Sequence, residues 1–507
     1  MASEVRLVEL LAALSLAADA GAGQPAEHSL RTCALACRLA AEAGLGEDAQ
    51  RDVFYVALLR SIGCTSDAHE QAALFGNEVA ARAELNLAAH LSPRELLAAL
   101  ARHATSKRVL VSARGLRRAI AAAHCDAAER LAGRLGIHAS ARRALLSVFE
   151  RWDGTGFPRA LAGEQIPVAV RFAQVAYDAI LLRGVRGADG AVAAVRRASG
   201  KLFDPAVVAL LVSTELDGDG EPWDAALAAD PDGIVLDDEG LDAACRAAGD
   251  FADLKSPWLL GHSAAVAELA EAAGWRLHLD AAELRRAALL HDLGRVAVSS
   301  GIWDRPGPLG HADWEAVRLH PYHVERFLDR SPTLVALGLV AGGHHERLDG
   351  SGYHRGATAA QLSAPARVLA AADAFQAMTE RRPHRAALPA ERAADELLAG
   401  ARAGRLDADA VDAVLAAAGQ RRAHNYRELP AGLTAREAQV LVLLARGLTN
   451  RQIAARLVIS PKTVGRHLEH VYAKAAVSTR AAAALFALEQ GLLEMGYSPD
   501  VAAAAAS

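Results

Sequence analysis

The stretch ERWDGTGFP at residues 150–158 recurs as ERLDGSGYH at residues 346–354, with five of the nine positions identical. Twenty-one residues after the first glutamate of each stretch stands an arginine, Arg171 in one case and Arg367 in the other. Similarity that is kept at a fixed spacing is typical of an internal repeat. The sequence therefore predicts that one domain has been duplicated.

Histidines upstream of the two stretches keep the same spacing. His124 precedes Val148 by 24 residues, and His320 precedes His344 by 24 residues. No strand-rich region stands out, and each repeat reads as a series of amphipathic helices. We therefore expect two related helical bundles in an all-α protein.

Length and composition agree with several compact helical domains. A chain of 507 residues is too long for one hydrophobic core, and 52% of its residues are apolar whereas only 5% are aromatic. Glu4 and Glu9 interrupt the apolar amino terminus, which we interpret as an amphipathic helix rather than a secretory signal. No uncharged apolar run is long enough to span a bilayer, so we expect a cytoplasmic protein without a membrane segment. The five cysteines form no CxxC pair and are expected to be buried thiols.

Composition shifts suggest the domain boundaries. Residues 215–253 are acidic and rich in Asp, Gly and Pro, which favours a boundary or linker with a short helix inside it. A second linker is expected at residues 421–432. These segments would separate a first repeat at 1–214, a second repeat at 254–420 and a carboxyl-terminal domain at 433–495.

The second repeat carries imidazole and carboxylate side chains in or beside helical patterns. They are His262, His291, Asp292, His320, His344, His345 and Asp373. A lone histidine on an apolar helix is more often a core residue, but helices could direct this whole set into one bundle interior. Seven such groups suit first-row divalent metals and exceed the needs of one tetrahedral ion. We therefore expect two metal ions, with Asp292 as the bridging carboxylate.

Two metals that share a hydroxide can hydrolyse a phosphodiester. The second repeat resembles the HD-GYP domain, a helical subclass of the HD phosphohydrolases. The matching segments are HDLG at 291–294, HP at 320–321, HHERLDGSGY at 344–353, ADAF at 372–375 and RPHR at 382–385. The resemblance implies an iron or manganese centre that hydrolyses cyclic di-GMP or a related cyclic dinucleotide.

The resemblance also implies roles for individual residues. Asp292 and Arg295 would be catalytic. The substrate would be bound by Arg295, Asp349, Gly352, Tyr353, Arg382 and Arg385. The metal ions would be held by the seven histidine and aspartate side chains named above.

Three positions depart from the family pattern. Arg295 stands where the family has lysine, which keeps a cation but changes its geometry. His354 replaces the proline that follows Gly-Tyr, so the loop loses its rigid end. Trp258 occupies the position of a glutamate found in members with three metals. A binuclear centre is therefore expected here.

The first repeat has lost most of these ligands. Its counterparts are His28, Arg60, Ser61, His124, Val148, Phe149 and Tyr177, and it has about 35 more residues between Arg60 and His124 than the second repeat has over the same span. Val148 and Phe149 cannot coordinate a metal, and Arg60 would repel one. We therefore expect a copy without hydrolytic activity, either a structural domain or a sensory pocket for a nucleotide or another ligand.

The carboxyl-terminal region is basic and densely capped. Residues 433–480 carry a local charge of +6, so the remainder carries −11. Thr434 with Glu437, and Thr449 with Gln452, form capping-box patterns, and Ser460 precedes a proline. Three helix starts are therefore predicted.

This region resembles the LuxR-type helix-turn-helix domain, including LT at 433–434, GLTN at 447–450, IS at 459–460 and TV at 463–464. The resemblance implies four helices, with the recognition helix at 461–475. The residues expected to contact double-stranded DNA are Thr449, Asn450, Lys462, Thr463, Arg466, His467 and Lys474.

Together the patterns predict a transcription regulator, expected to be a homodimer on paired half-sites, that also hydrolyses a cyclic dinucleotide. Two alternatives remain open. The repeats could be catalytically silent sensors of a nucleotide or metabolite, or the second repeat could act on another phosphoester.

Overall fold

The computed structural model describes residues 5–88, 93–105, 113–216, 220–419, 430–457 and 459–493. Within these ranges the chain is helical apart from isolated bridges and one two-stranded sheet, which confirms the predicted all-α class. Most of the expected linker at 421–432, and residues 494–495, lie outside the described ranges. No helix within them combines the length and apolar character needed to cross a bilayer. The chain divides into two compact units.

Unit one comprises residues 1–247 together with 296–302 and 326–335. Its sheet pairs Val5–Arg6 antiparallel with Val235–Leu236. Its helices before residue 238 are Leu7–Gly21, His28–Glu42, Glu47–Leu59, Ala68–Phe75, Glu78–Ala88, Pro93–His103, Ala113–Arg134, Ala139–Leu145, Val168–Arg197, Pro205–Ser213 and Pro222–Ala228, with a 3-10 turn at Gly163–Gln165.

Unit two comprises residues 248–295, 303–325 and 336–507. From residue 238 to the end of the second repeat the helices are Asp238–Asp253, His262–Arg276, Ala281–Leu290, Ser300–Trp303, His311–Arg318, His320–Leu328, Pro332–Ala341, Ala364–Thr379, Ala390–Arg402 and Ala408–Ala418, with a 3-10 turn at Leu293–Ala297. Some of these helices continue from one unit into the other.

The acidic segment 215–253 differs from the expected linker. It contains the helix Pro222–Ala228, one strand of the sheet and the four-turn helix Asp238–Asp253. Leu241, Ala244 and Phe251 are buried along one side of that longer helix. Its acidic residues dominate the composition, but the helical spacing of these apolar residues decides the local structure.

The helix Asp238–Asp253 has a counterpart at the start of the first repeat. Asp253 accepts hydrogen bonds from the Ser263 amide at 3.0 Å and from the Ser263 hydroxyl at 2.7 Å. Asp19, near the end of the first long helix, accepts the same two bonds from Ser29 at 2.9 and 2.6 Å. All four side chains are buried. Each repeat therefore begins one helix earlier than its histidine pattern suggests.

The quoted stretches form the same turn in both repeats. The buried Glu150 carboxylate accepts from the backbone amides of Arg159 and Leu161, at 2.7 and 3.0 Å. Glu346 accepts from the amides nine and eleven residues after it, at 3.0 and 2.8 Å. These bonds satisfy amides that the turn would otherwise leave without partners.

The arginine after each turn also has the same role in both repeats. Arg171 pairs with Asp204 at 2.9 Å, and Arg367 pairs with Asp407 at 3.0 Å. Each aspartate also caps the helix that follows it. The fixed spacing of the two stretches therefore reflects one conserved set of contacts.

Residues 433–493 contain the four expected helices. They are Ala435–Ala445, Asn450–Leu457, Pro461–Lys474 and Arg480–Glu489, preceded by a 3-10 turn at Pro430–Gly432. Glu437 and Thr434 exchange both bonds of a capping box, at 2.7 and 3.2 Å. Ser460 caps the third helix by accepting from the Thr463 amide at 3.0 Å. Leu441, Val464 and their apolar neighbours form one core, as the helical periodicity predicts.

Candidate metal centre and DNA-binding surface

Helix ends position six of the seven predicted metal ligands, and the interior of one helix positions the seventh. His262 and His320 begin helices, His291 directly follows one, and Asp373 lies within Ala364–Thr379. All of the set except His345 are almost fully buried. The ligand atoms form two groups, each spanning at most 4.8 Å: His262, His291 and Asp292 in one, and His320, His344 and His345 in the other.

Asp292 belongs to the first group and reaches the second. Its Oδ2 lies 3.6 Å from His262 Nε2 and 3.2 Å from His291 Nε2. Its Oδ1 lies 3.5 Å from His320 Nε2 and 3.7 Å from His344 Nε2. One oxygen faces each group, which is the arrangement that a bridging carboxylate requires.

Asp373 also reaches toward both groups. Its Oδ1 lies 3.2 Å from His262 Nε2 and 3.8 Å from His291 Nε2, and its Oδ2 lies 3.8 Å from His345 Nδ1. The ring of Tyr353 stacks on that of His345 with centroids 4.3 Å apart. Tyr353, a predicted substrate residue, therefore borders the second group.

Hydrogen bonds orient the histidine rings. The Nδ1 atoms of His291, His320 and His344 each lie 2.6–2.7 Å from the carbonyl oxygen three residues earlier. A protonated Nδ1 donates to such a carbonyl and leaves Nε2 with its lone pair free. These three Nε2 atoms are therefore prepared to bind a metal.

Several of the converging atoms lack hydrogen-bond partners among the residues that the structure describes. They are His262 Nε2, His291 Nε2, Oδ2 of Asp292 and Oδ1 of Asp373. Buried polar atoms without partners are costly and rare in folded proteins. Their convergence on one point, with nitrogen and oxygen donors, fits bound divalent metal.

Electrostatics favour the ligating protonation states of Asp292 and His344. Burial by itself would raise the pKa of Asp292, but Arg295 and His291 hold that pKa well below its ordinary value. Burial lowers the pKa of His344 to about 4. At neutral pH Asp292 is therefore a carboxylate and His344 a neutral imidazole, as metal coordination requires.

Sequence reasoning missed Glu380. Its Oε2 lies 2.9 Å from His262 Nδ1, and it accepts from Arg382 at 2.8 Å. Burial opposes protonation of His262, but Glu380 raises the pKa of this imidazole to about 9. No spacing rule could have found this residue, because it lies 118 positions from His262.

Two of the predicted substrate-binding cations, Arg295 and Arg382, have different partners. Arg295 Nε lies 2.7 Å from Asp292 Oδ1, and its guanidinium lies 4.7 Å from the centre of the Trp303 ring. Arg382 is buried beside His262 and Glu380. Arg295 thus contacts Asp292 directly, whereas Arg382 donates to Glu380, the residue that contacts His262.

Three other predicted substrate residues have clear structural roles. Arg385 donates to backbone carbonyls at the end of Ala364–Thr379, including that of Met378 at 3.0 Å. Asp349 accepts from the amide and hydroxyl of Ser351 in an exposed turn. Gly352 is buried, and an added Cβ would lie only 2.7 Å from the Glu346 carboxylate. Their substrate contacts remain predictions.

The other two departures from the family pattern, His354 and Trp258, contact residues outside the set of seven predicted ligands. His354 lies 3.8 Å from Glu325 and 3.9 Å from Glu346, where proline would have no polar atom. Trp258 is half-buried, and Arg381 lies over its ring at 5.3 Å. An indole offers no metal-binding oxygen at this position.

Most of the predicted DNA-binding residues are exposed or partly exposed. Lys462 and Arg466 are exposed on the third helix of the domain, where Thr463 and His467 are partly exposed. Asn450 is exposed at the start of the second helix. These side chains are available to phosphates and base edges.

Thr449 and Lys474 have partners within the domain. Thr449 shares a capping box with Gln452. Lys474 Nζ donates to Glu437 at 2.6 Å and to the Gly432 carbonyl at 3.0 Å. Lys474 therefore ties two helices together, and its DNA contact remains a prediction.

Comparisons with known proteins agree with this arrangement. The HD domain family matches residues 68–207 and 246–410, and the family of bacterial regulatory proteins of the luxR type matches residues 431–487. The 3′3′-cGAMP-specific phosphodiesterase 3 of Vibrio cholerae is 30% identical over 414 residues, which are 76% of this chain and 89% of that protein. A cyclic di-GMP phosphodiesterase of Thermotoga maritima is 38% identical over 117 residues, 23% of this chain and 32% of that protein.

A solved structure gives the same fold. The crystal structure of a cyclic GMP-AMP specific phosphodiesterase of V. cholerae matches with a TM-score of 0.58 and 26% identity, covering 83% of this chain and 99% of that one. The chain therefore belongs to the HD domain family and carries a carboxyl-terminal DNA-binding domain of the luxR family of bacterial regulatory proteins.

Proposed function

We propose that this protein is a transcription regulator whose second repeat hydrolyses a cyclic dinucleotide at a binuclear metal centre. The observation that carries the proposal is the position of Asp292, with one carboxylate oxygen facing each group of histidines. The relatives named as cyclic dinucleotide phosphodiesterases support the substrate class. The fit of these residues to one bridged pair of metals supports metal-assisted phosphodiester hydrolysis as the reaction type.

Iron or manganese is the proposed metal, held by the seven histidine and aspartate side chains. When bound, such a pair supplies Lewis acidity and a hydroxide nucleophile for attack at phosphorus. Arg295 keeps Asp292 charged and oriented by its 2.7 Å contact, and therefore acts as a positioning residue. Tyr353 offers a ring at the mouth of the second group, where a purine base can stack.

The test is hydrolysis by the full chain loaded with manganese or iron. Cyclic di-GMP and 3′3′-cGAMP are followed by chromatography for wild type, Asp292→Asn and the control Asp395→Asn, whose carboxylate is exposed outside the site. We expect at least a hundredfold loss of rate, together with loss of bound metal, in Asp292→Asn and no change in the control. Binding of either substrate without hydrolysis by the loaded wild type would favour the silent-sensor alternative. Cleavage of other phosphoesters but of neither dinucleotide would favour the alternative that the second repeat acts on another phosphoester.

Regulation requires that the metal site and the DNA-binding domain communicate. Leu260 packs against the core of that domain, and a Cβ added at Gly447 would lie 2.7 Å from Pro257. The next residues along the same segment are Gly261 and the ligand His262. This short connection supports the proposal that occupancy at His262 changes DNA affinity.

DNA binding is tested with the full chain and fragmented genomic DNA from its source, followed by affinity measurement on a recovered site. Arg466→Ala should weaken binding at least tenfold, whereas Arg402→Ala, an exposed arginine on the second repeat, should not. Metal or substrate should shift the affinity of wild type but not that of Leu260→Ala. The protein is proposed to act in the cytoplasm as a homodimer, which a two-fold symmetric site would support.

A further inference from the structure

The first repeat contains a cavity of about 580 Å³. Its lining includes the counterparts of six of the seven second-repeat ligands, which are Arg60, Ser61, His124, Val148, Phe149 and Tyr177. A volume of this size, a mainly apolar wall and a few polar groups are typical of sites for small ligands. The place where the second repeat gathers metal ligands is therefore a ligand-sized cavity in the first.

This cavity is not suited to a metal. Val148 and Phe149 have no ligand atoms, and Arg60 brings a positive charge. His124 Nε2 lies 2.7 Å from the Arg60 carbonyl oxygen, so the nitrogen that would bind metal already has a partner. Among the described residues, the groups able to hold a metal lie in the second unit. The cavity therefore lacks the metal-bound hydroxide that is proposed for the second repeat.

Arg60 supplies a cation at the position of His291. Its guanidinium lies 4.6 Å from the centre of the Tyr177 ring and 5.5 Å from that of Phe149. It donates a hydrogen bond to the Val148 carbonyl, which is neutral, and the Asp178 carboxylate lines the same cavity. The nearby Arg82 is instead paired with Asp67 at 2.9 Å. A guanidinium with remaining donors is well suited to a phosphate.

The rest of the wall is suited to a planar ring. The Phe149 ring meets the His124 ring edge to face, with centroids 4.9 Å apart. The helices Glu78–Ala88 and Pro93–His103 add Leu85, Leu96 and Leu100 to the lining. Both helices belong to the longer connection that distinguishes this repeat. Aromatic and aliphatic surface beside an arginine is the combination that holds a nucleobase and its phosphate.

We propose that the first repeat binds a purine nucleotide without cleaving it, with the phosphate on Arg60 and the base against Phe149 and the leucine-lined wall. This site acts independently of hydrolysis in the second repeat. The ligand chemistry is shared by the cyclic dinucleotide substrate and by its mononucleotide products. A preference for the cyclic dinucleotide would make the site a sensor of the substrate, whereas a preference for a mononucleotide would make it a sensor of the product.

The test is isothermal titration of the full chain after removal of metal by a chelator. The titrants are 3′3′-cGAMP, cyclic di-GMP, GMP and AMP. We expect at least one of them to bind at one site per chain, and Arg60→Ala to weaken that binding at least tenfold. Arg143→Ala, which removes an exposed arginine of the same repeat outside the cavity, should bind as wild type does.

Phe149→Ala provides a second variant in case Arg60→Ala does not fold, which circular dichroism and thermal melting would reveal. It should also weaken binding at least tenfold, because the stacking surface is lost. The proposal is overturned if none of the four nucleotides binds the metal-free wild type. Wild-type affinity in a folded Arg60→Ala or Phe149→Ala variant would overturn it as well.

Discussion

Replacement of Gly294 by alanine tests whether the metal site depends on one close backbone contact. Gly294 is the glycine of the HDLG segment, and a Cβ built on it would overlap the carbonyl oxygen of His320. The first repeat has the same contact between Gly63 and the carbonyl of His124. Because the clash is with backbone, no side-chain rotation can relieve it, and the chain that carries His320 must move.

Overpacking of this kind costs about 1–3 kcal/mol, and more where backbone must move. For a unit of 150–250 residues each kcal/mol lowers the melting temperature by about 2–4 °C. A displaced His320 should also weaken metal binding, since changes in ligand support cost about 10–100-fold in affinity. Gly294→Ala is therefore expected to melt lower and to retain less metal than wild type.

Differential scanning calorimetry and metal analysis of the purified full chain measure both effects. Gly63→Ala should lower stability similarly without loss of metal, because its neighbour His124 lies in the repeat that lacks the ligand set. Gly307→Ala is the neutral control, since no atom lies within 4 Å of its added Cβ. Wild-type stability and metal content in Gly294→Ala would refute the reasoning.

Three further outcomes are expected. Burial raises the pKa of Asp19 from 3.8 to about 7, although the hydrogen bonds from Ser29 act in the opposite direction. The folded state therefore favours the protonated carboxyl, and its contribution to the free energy of unfolding is lost as pH rises from about 4 to 7. Chemical unfolding across that range should show the free energy of unfolding of Asp19→Asn rising by up to about 4 kcal/mol relative to that of wild type. Parallel pH profiles of unfolding free energy in the two proteins would contradict this. Ser460→Ala should cost about 1 kcal/mol by removing a helix cap, most of which Ser460→Thr should restore in urea unfolding. Arg466→Ala should reduce the slope of log affinity against log salt by about 1, and an unchanged slope would mean that Arg466 contacts no phosphate.

Much of the fold could be predicted because its signals are local or strictly spaced. The capping pairs of Thr434 and Ser460 involve residues only three positions apart, and both were found from the sequence. The acidic helix Asp238–Asp253 was missed because composition was given more weight than its apolar spacing. Helical periodicity is the more reliable signal where the two conflict.

The candidate site was predictable as a set of residue types but not as an arrangement. Imidazole and carboxylate groups at repeated spacings pointed to metal. The structure gathers six of the seven in two groups and places Asp373 3.2 Å from His262 and 3.8 Å from His345. Glu380 carried no comparable signal, although it contacts His262. Arg385, expected at the substrate, donates to the carbonyls at a helix end. Such roles depend on where a flexible side chain finds a partner after folding.

The sequence by itself determined the duplication, the helical class, the DNA-binding domain and the chemical identity of the candidate metal ligands, because each depends on residue type and on spacing along the chain. Tertiary structure alone decided that Asp292 stands between the two groups of histidines and that Arg60 lies over Tyr177 in the first repeat. Asp292 meets four histidines that are 1 to 52 positions away along the chain, and Arg60 meets a ring 117 positions away. Only the packing of helices brings such residues within a few ångströms, and this packing distinguishes the proposed site for hydrolysis from the proposed site for binding.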